Sequence, residues 1–231
     1  MQDSQALFAI NDTPVYVKPA ILGNVIGLLA LFTWLAARRH PTWPWPKRLL
    51  SAVSAAAAAL SADVGHAAAH TVSARRAGAP MDYILLWQGM PQTIYLDDDV
   101  PPRAHIERSL GGPALNAAGL LVSLLLRPLA PRDTILRDAL DAAALSHGLL
   151  LGGALLPLPM VDGGVILKWT LVERGHTPAG ADAFVRQADL ALGTAGITAG
   201  AAFAVARRWL PAAALAAGGA FALVTALRRR T

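Results

Sequence analysis

The sequence LLSAVSAAAAALSADVGHAAAH, residues 49–70, decides the fold. It is apolar or small throughout except for Asp63, His66 and His70. A run of about 20 such residues is long enough to cross a bilayer as a helix. Its alanines and serines let neighbouring helices approach closely. We therefore predict a membrane-spanning helix that packs against protein and carries ionisable side chains within the apolar layer.

The whole composition agrees with a membrane protein. Hydrophobic residues make up 55% of the 231 residues and charged residues 15%, whereas soluble domains carry about 25% charged residues. We predict an all-α polytopic membrane protein of one domain, residues 1–231, ending in a helical hairpin at about 190–227. About six transmembrane helices are expected, at roughly 19–37, 49–70, 111–126, 139–156, 190–206 and 210–227.

The segment between the second and third spans breaks the helical pattern. Residues 83–87 and 92–95 are rich in aromatic and β-branched side chains, and Gly89 and Pro91 separate them. Two such runs around turn residues are typical of a β-hairpin. We predict a small membrane-associated hairpin here.

The net charge and the absence of cysteine limit the partners and the metal ligands that the protein can have. The net charge is +5, but no basic face interleaved with aromatic residues indicates nucleic-acid binding. The basic residues are those expected beside membrane spans, so the lipid bilayer is the expected partner. The high alanine and arginine content favours the cytoplasmic membrane of a prokaryote. With no cysteine, any metal must bind nitrogen and oxygen ligands. The oligomeric state does not follow from the sequence.

Two histidines indicate a metal site. His66 and His70 are four residues apart, which places both imidazoles on one helix face. The same spacing holds zinc in HExxH helices. Two unrelated histidines would give the same pattern, but ionisable groups inside a membrane span are costly and usually functional.

Asp162 is the best candidate for a third ligand. It lies in PLPMVDGG, residues 157–164, where two prolines and a glycine pair prevent a helix from continuing. Irregular backbone at membrane depth is tolerated inside protein or at a water-filled cavity. An ordinary Asp-Gly turn at a membrane surface is the alternative.

Three segments resemble the site-2 protease family of intramembrane zinc metalloproteases. HAAAHTVSARRAG, residues 66–78, resembles the HExxH helix of that family. GGPALN, residues 111–116, is similar to its Gly-Pro-x-x-Asn helix start. LLPLPMVDGG, residues 155–164, is close to its LLPxPxxDGG turn. The resemblance spans most of the chain, with a metalloprotease-like core at about 49–170.

The resemblance implies a function for each segment. His66, His70 and Asp162 would bind Zn²⁺, and Asn116 would hold substrate or stabilise an oxyanion. The hairpin would bind an unwound segment of a membrane-protein substrate by strand addition. The residues expected to contact that substrate are Tyr83, Ile84, Leu85, Gln92, Thr93 and Ile94.

The sequence departs from the family at two positions. Ala67 stands where the family has its general-base Glu, and Ala154 where it tends to have Asn. General acid–base catalysis typically contributes about 10² to 10⁴ in rate. Asp63 could replace the missing base, orient His66 or close the metal site as a fourth ligand. His147 could shuttle protons, or be a histidine bonded to a neighbouring helix.

Three functions remain open from the sequence. The leading one is a zinc metallopeptidase that cuts transmembrane segments of other membrane proteins. The second is a catalytically inactive relative that binds metal and membrane-protein clients. The third is a metal or proton transporter, which the absence of inverted halves with paired broken helices disfavours.

Overall fold

A computed structural model describes residues 6–228 of the chain. It contains four strands, β1 to β4, and eight α-helices, α1 to α8, besides a short 3-10 turn at Arg127–Leu129. The strands are Phe8–Ile10, Thr13–Val17, Tyr83–Leu86 and Gln92–Ile94. The helices are Ile21–Arg39, Trp45–Arg76, Pro102–Ser109, Gly111–Leu126, Ile135–Ala154, Asp162–Glu173, Pro178–Val205 and Trp209–Arg228.

The chain divides into two compact units. The first comprises the chain through Val100 together with Glu107–Gly153, and the second comprises Pro101–Ile106 together with the chain from Ala154 onward. The first unit holds the sheet, α1, α2, α4 and most of α5. The second holds α6, α7 and α8. The expectation of a single domain stays a prediction.

The predicted hairpin is present as part of a larger sheet. β3 and β4 pair antiparallel, but β3 also pairs in parallel with β2, and the order is β1-β2-β3-β4. The two N-terminal strands were not predicted from the sequence. Their signal is the Asn11–Asp12 pair, which joins β1 to β2 with φ values of 49° and 56°. Two consecutive residues at positive φ are typical of a tight hairpin turn.

A small apolar core joins the sheet to α2. Val15 of β2 and Ile84 of β3 are each 1% exposed, and they cluster with Ala67 and Ala74 of α2. Alanine at these helix positions leaves room for the branched strand side chains. Helix α2 therefore packs against the sheet through a face other than the one that carries the two histidines.

Within residues 6–228, four helical stretches are long and apolar enough to cross a membrane. They are Ile21–Arg39, Trp45–Arg76, Pro102–Leu129 and Pro178–Val205. Helices also occupy the other two predicted spans, as α5 and α8, but the apolar part of α8, Pro211–Leu227, is shorter. The mostly helical fold is confirmed and the four stretches are candidate membrane spans, while a total of six spans stays a prediction.

Within the second unit, α7 and α8 pack closely. A Cβ atom added at Gly219 would lie 2.7 Å from the carbonyl oxygen of Gly193, so the two backbones nearly touch. Across the same interface Thr225 Oγ1 donates to Asp189 Oδ2 at 2.7 Å. Small residues with an interhelical hydrogen bond are the usual means of holding helices together in lipid.

Candidate metal centre

His66 and His70 meet on one face of α2. Their Nε2 atoms lie 3.1 Å apart, and their rings are 4.8 Å apart at 74°. His70 is 3% exposed and His66 is half-buried. The spacing of four residues therefore brings two nitrogen donors to one point, as the sequence predicts.

The backbone of Arg108 fixes the ring of His70. His70 Nδ1 lies 2.8 Å from the Arg108 carbonyl oxygen, which also accepts from Ser73 Oγ at 2.8 Å. A carbonyl oxygen only accepts, so His70 Nδ1 donates. In a neutral ring the Nε2 atom then carries the lone pair, and it is the atom that faces His66. Metal-binding histidines are usually oriented in this way.

Asn116 of α4 holds the ring of His66. Its Nδ2 atom lies 2.8 Å from His66 Nδ1, and its Oδ1 atom lies 2.9 Å from Nδ1 of His147 on α5. Asn116 is 0% exposed. The structure thus brings together two residues, Asn116 and His147, that the sequence placed near the site on separate grounds. Both ends of the amide are occupied by imidazoles.

Gly112 leaves room for the histidine pair. A Cβ atom at this position would lie 2.4 Å from His66 Nε2 and 2.5 Å from His70 Nε2. At the neighbouring Gly111 it would lie 2.5 Å from the carbonyl oxygen of Ala69. The glycine pair that opens α4 therefore lets its backbone pass directly against α2 beside the two Nε2 atoms. From the sequence, this glycine pair was recognisable only as part of a family motif.

The geometry of the pair fits a tetrahedral metal ion. Two nitrogen ligands at 2.0–2.1 Å from zinc, at the tetrahedral angle, are about 3.3–3.4 Å apart. The observed Nε2–Nε2 separation is 3.1 Å. The donors are imidazole nitrogens, which suit zinc. The two histidines therefore meet the requirements of type and spacing for two zinc ligands.

Asp162 belongs to the second unit, where it is the first residue of α6 and half-buried. Val161 before it is extended, with φ −119° and ψ 165°, so the helix begins sharply. A Cβ atom at Gly164 would lie 1.9 Å from the carbonyl oxygen of Leu158. The glycines after Asp162 are thus required because the proline-containing segment folds back onto the helix start.

Ala67, at the position of the missing Glu, and Asp63, the candidate substitute for it, have different surroundings. Ala67 is 1% exposed and packs in the apolar core beside Ile84. Asp63, one turn before His66, is half-buried. The structure therefore leaves Asp63 as the carboxylate that accompanies the histidine pair on α2, and it surrounds Ala67 with hydrocarbon.

The six residues predicted to bind substrate divide into two groups. β3 has a partner strand on each side, and its Ile84 side chain is core. Tyr83, Ile84 and Leu85 therefore have no open backbone edge. β4 ends the sheet within residues 6–228, so Gln92, Thr93 and Ile94 lie on the strand that has an outer edge.

Comparison with known proteins supports the fold. No family model matches the chain, and no curated protein matches it. Among solved structures, the site-2 protease from Methanocaldococcus jannaschii is similar, with a TM-score of 0.57 and 16% identity over 95% of each chain. At this identity the likeness is one of fold. The chain therefore has an intramembrane protease-like fold.

Proposed function

We propose that this protein is an intramembrane zinc metalloprotease-like protein of site-2 type that engages transmembrane segments of other membrane proteins. The observation that carries the proposal is the oriented imidazole pair of His66 and His70, with Gly112 against both Nε2 atoms. Asp162 is the residue that we propose as the third ligand of the metal ion. Two nitrogens and a carboxylate make a ligand set of the kind found in zinc peptidases.

Zinc bound by these residues would supply an acidified water and polarise a carbonyl. The protein itself contributes the orientation of the ligands. The Arg108 carbonyl orients His70, and Asn116 contacts His66. Asp63 is the residue we propose as the proton acceptor of hydrolysis, since it lies on α2 one turn from His66.

A client segment would bind at β4. Its outer edge offers backbone groups to which an unwound segment can add as a further strand. Gln92, Thr93 and Ile94 would then contact the client. This restricts the substrate site predicted from the sequence to one of its two strands.

A second candidate function is a catalytically inactive protein that binds metal and clients. The specific observation in its favour is Ala67, which has an apolar environment where a site-2 protease has its general base. An inactive relative needs the metal only to shape the site. The two functions share the metal and the client, and they differ in whether Asp63 accepts a proton.

Reconstitution in vesicles separates the two. Full-length protein is loaded with zinc and mixed with a single-span membrane protein as substrate, and cleavage is followed by mass spectrometry. A peptidase cuts in the natural form and loses activity in His70→Ala and in Asp63→Asn, while His176→Ala, an exposed loop control, stays active. If the natural form binds zinc and client without cleavage, the inactive function holds. If it binds no zinc, both fail.

A further inference from the structure

The hydrogen bonds around the histidine pair run in one direction. His147 Nδ1 donates to Asn116 Oδ1 at 2.9 Å, because a carbonyl oxygen only accepts. Asn116 Nδ2 then donates to His66 Nδ1 at 2.8 Å. At the other end His70 Nδ1 donates to the Arg108 carbonyl. The contact between the two Nε2 atoms at 3.1 Å is therefore a donation from His66 to His70.

This direction is incompatible with a metal on His66 Nε2. In the chain of bonds that atom carries a proton, whereas a metal ligand must present a lone pair. In the same chain of bonds, Nε2 of His70 already carries a lone pair. Binding of a metal at both Nε2 atoms therefore requires His66 to carry its proton on Nδ1 instead, and Nδ1 faces Asn116.

The Asn116 side chain can accommodate this change in the position of the His66 proton by rotating its amide group. Rotation of the Asn116 side chain by a half-turn exchanges its oxygen and its NH₂ group. The oxygen then accepts from His66 Nδ1, and the NH₂ group donates to His147 Nδ1. Each imidazole moves one proton from one ring nitrogen to the other, so the exchange creates no charge at the site.

The fold holds these groups along one face of α4. Gly112, Asn116 and Gly119 are spaced at four and three residues, which places them on the same face. A Cβ atom at Gly119 would lie 2.4 Å from His147 Nε2, just as one at Gly112 would lie 2.4 Å from His66 Nε2. Gly112 and Gly119 thus leave space for the rings of His66 and His147, and the fully buried Asn116 contacts both rings.

We propose that Asn116 and His147 are positioning residues that select the metal-binding tautomer of His66 by reversing the Asn116 amide. This rests on the proposed function, because it takes zinc to bind His66 and His70. It replaces the substrate-binding or oxyanion role expected for Asn116 and the proton-shuttle role expected for His147. Neither residue touches the reacting atoms.

Zinc affinity of the purified full-length protein tests the inference, by competition with a chromophoric chelator. Asn116→Asp offers only acceptor atoms at the same volume, so it favours His66 with its proton on Nδ1 and should bind zinc at least as tightly as the natural protein. Asn116→Leu cannot orient the ring and should lose about 10- to 100-fold in affinity. His147→Phe should also weaken binding, and His147→Gln, which keeps a hydrogen-bonding partner, should restore most of it.

Nitrogen NMR of ¹⁵N-histidine protein gives a readout that a purely structural role would not move. The His66 proton should be on Nε2 without zinc and on Nδ1 with zinc. The inference is overturned if Asn116→Leu and Asn116→Asp bind zinc equally, or if the His66 tautomer does not change. If the natural protein binds zinc, and loses it in His70→Ala, the proposed metal site stands even when the inference fails. Absence of zinc binding overturns both.

Discussion

Two histidines of the first unit, His40 and His66, have different kinds of partner. His40 Nδ1 lies 2.8 Å from Asp133 Oδ1, and its Nε2 lies 2.9 Å from Asp138 Oδ2. Both ring nitrogens of His40 therefore face carboxylate oxygens, which accept hydrogen bonds. His66 instead contacts the Asn116 amide and the His70 imidazole, whose donor and acceptor roles can be exchanged. The partners of one ring act as acceptors, whereas those of the other can change roles and allow it to bind a metal.

The surroundings reinforce the difference. The His40 ring stacks on Trp43 at 3.7 Å, and Lys47 lies 3.6 Å above the same indole. Asp138 also accepts from Ser51 Oγ at 2.6 Å. These contacts connect the α1–α2 turn to α5, so we assign this cluster a role in stability. The His66 site is held by glycines and one amide, which position the rings without fixing their protons.

Asp138→Ala has the largest expected effect. It removes the buried partner of His40 and of Arg39, whose Nη1 lies 3.2 Å from Asp138 Oδ1. Loss of the acceptor leaves the buried donors of His40 and Ser51 without this partner, which costs about 1–3 kcal/mol for each. The free energy of unfolding in mixed micelles should fall by about the sum of these costs, while zinc affinity stays unchanged. The matched control is Asp133→Ala on the exposed side of the same ring. Equal losses in the two variants would mean that the cluster is not held by its buried charge.

Gly112→Ala is the converse test at the metal centre. The added methyl group would occupy the space of both Nε2 atoms, so zinc affinity should fall by about 100-fold, the upper range for disturbing groups that orient ligands. Thermal stability without zinc should change less. Gly27→Ala is the control, since a Cβ atom there meets nothing within 4 Å. Retention of zinc affinity in Gly112→Ala would contradict the assignment of the site.

Acidification gives a smaller effect through Asp133 of the His40 cluster. The hydrogen bond that Trp43 donates chiefly lowers the pKa of Asp133 below its usual 3.8, and a bond from His40 adds to this against partial desolvation. A lowered carboxyl pKa stabilises the fold above the usual value, and that stabilisation is lost as the pH falls below 3.8 through the lowered pKa. The melting temperature should drop in this range, and less steeply in Asp133→Asn. An identical acid dependence in both proteins would assign the effect elsewhere.

The sequence predicted more of the site than of the sheet. The spacing of His66 and His70 fixes their common face, because helix periodicity is local. Strand β2 was missed because its pairing with β3 joins residues nearly 70 apart, and such contacts leave little local signal. Strand β1, which pairs only with β2, is three residues long and too short to show a pattern. Helix α3 was not predicted either, and in it His105 stacks on Trp169 at 3.8 Å.

The direction of the hydrogen bonds could not be read from the sequence. Asn116 and His147 are 31 residues apart, and each alone has several plausible roles. The signal that was available is the spacing of Gly112, Asn116 and Gly119 on one helical face. It indicates a close approach of other chain segments to α4, but it does not say which side chains approach.

Zinc titration of the full-length protein tests the central claim most directly. The protein should bind one equivalent of zinc, and X-ray absorption should show two imidazole nitrogens at about 2.0–2.1 Å with oxygen ligands completing the shell. Binding should be lost in His66→Ala and in His70→Ala and kept in His176→Ala. A stoichiometric zinc site that survives both α2 substitutions, or no zinc site at all, would contradict the account.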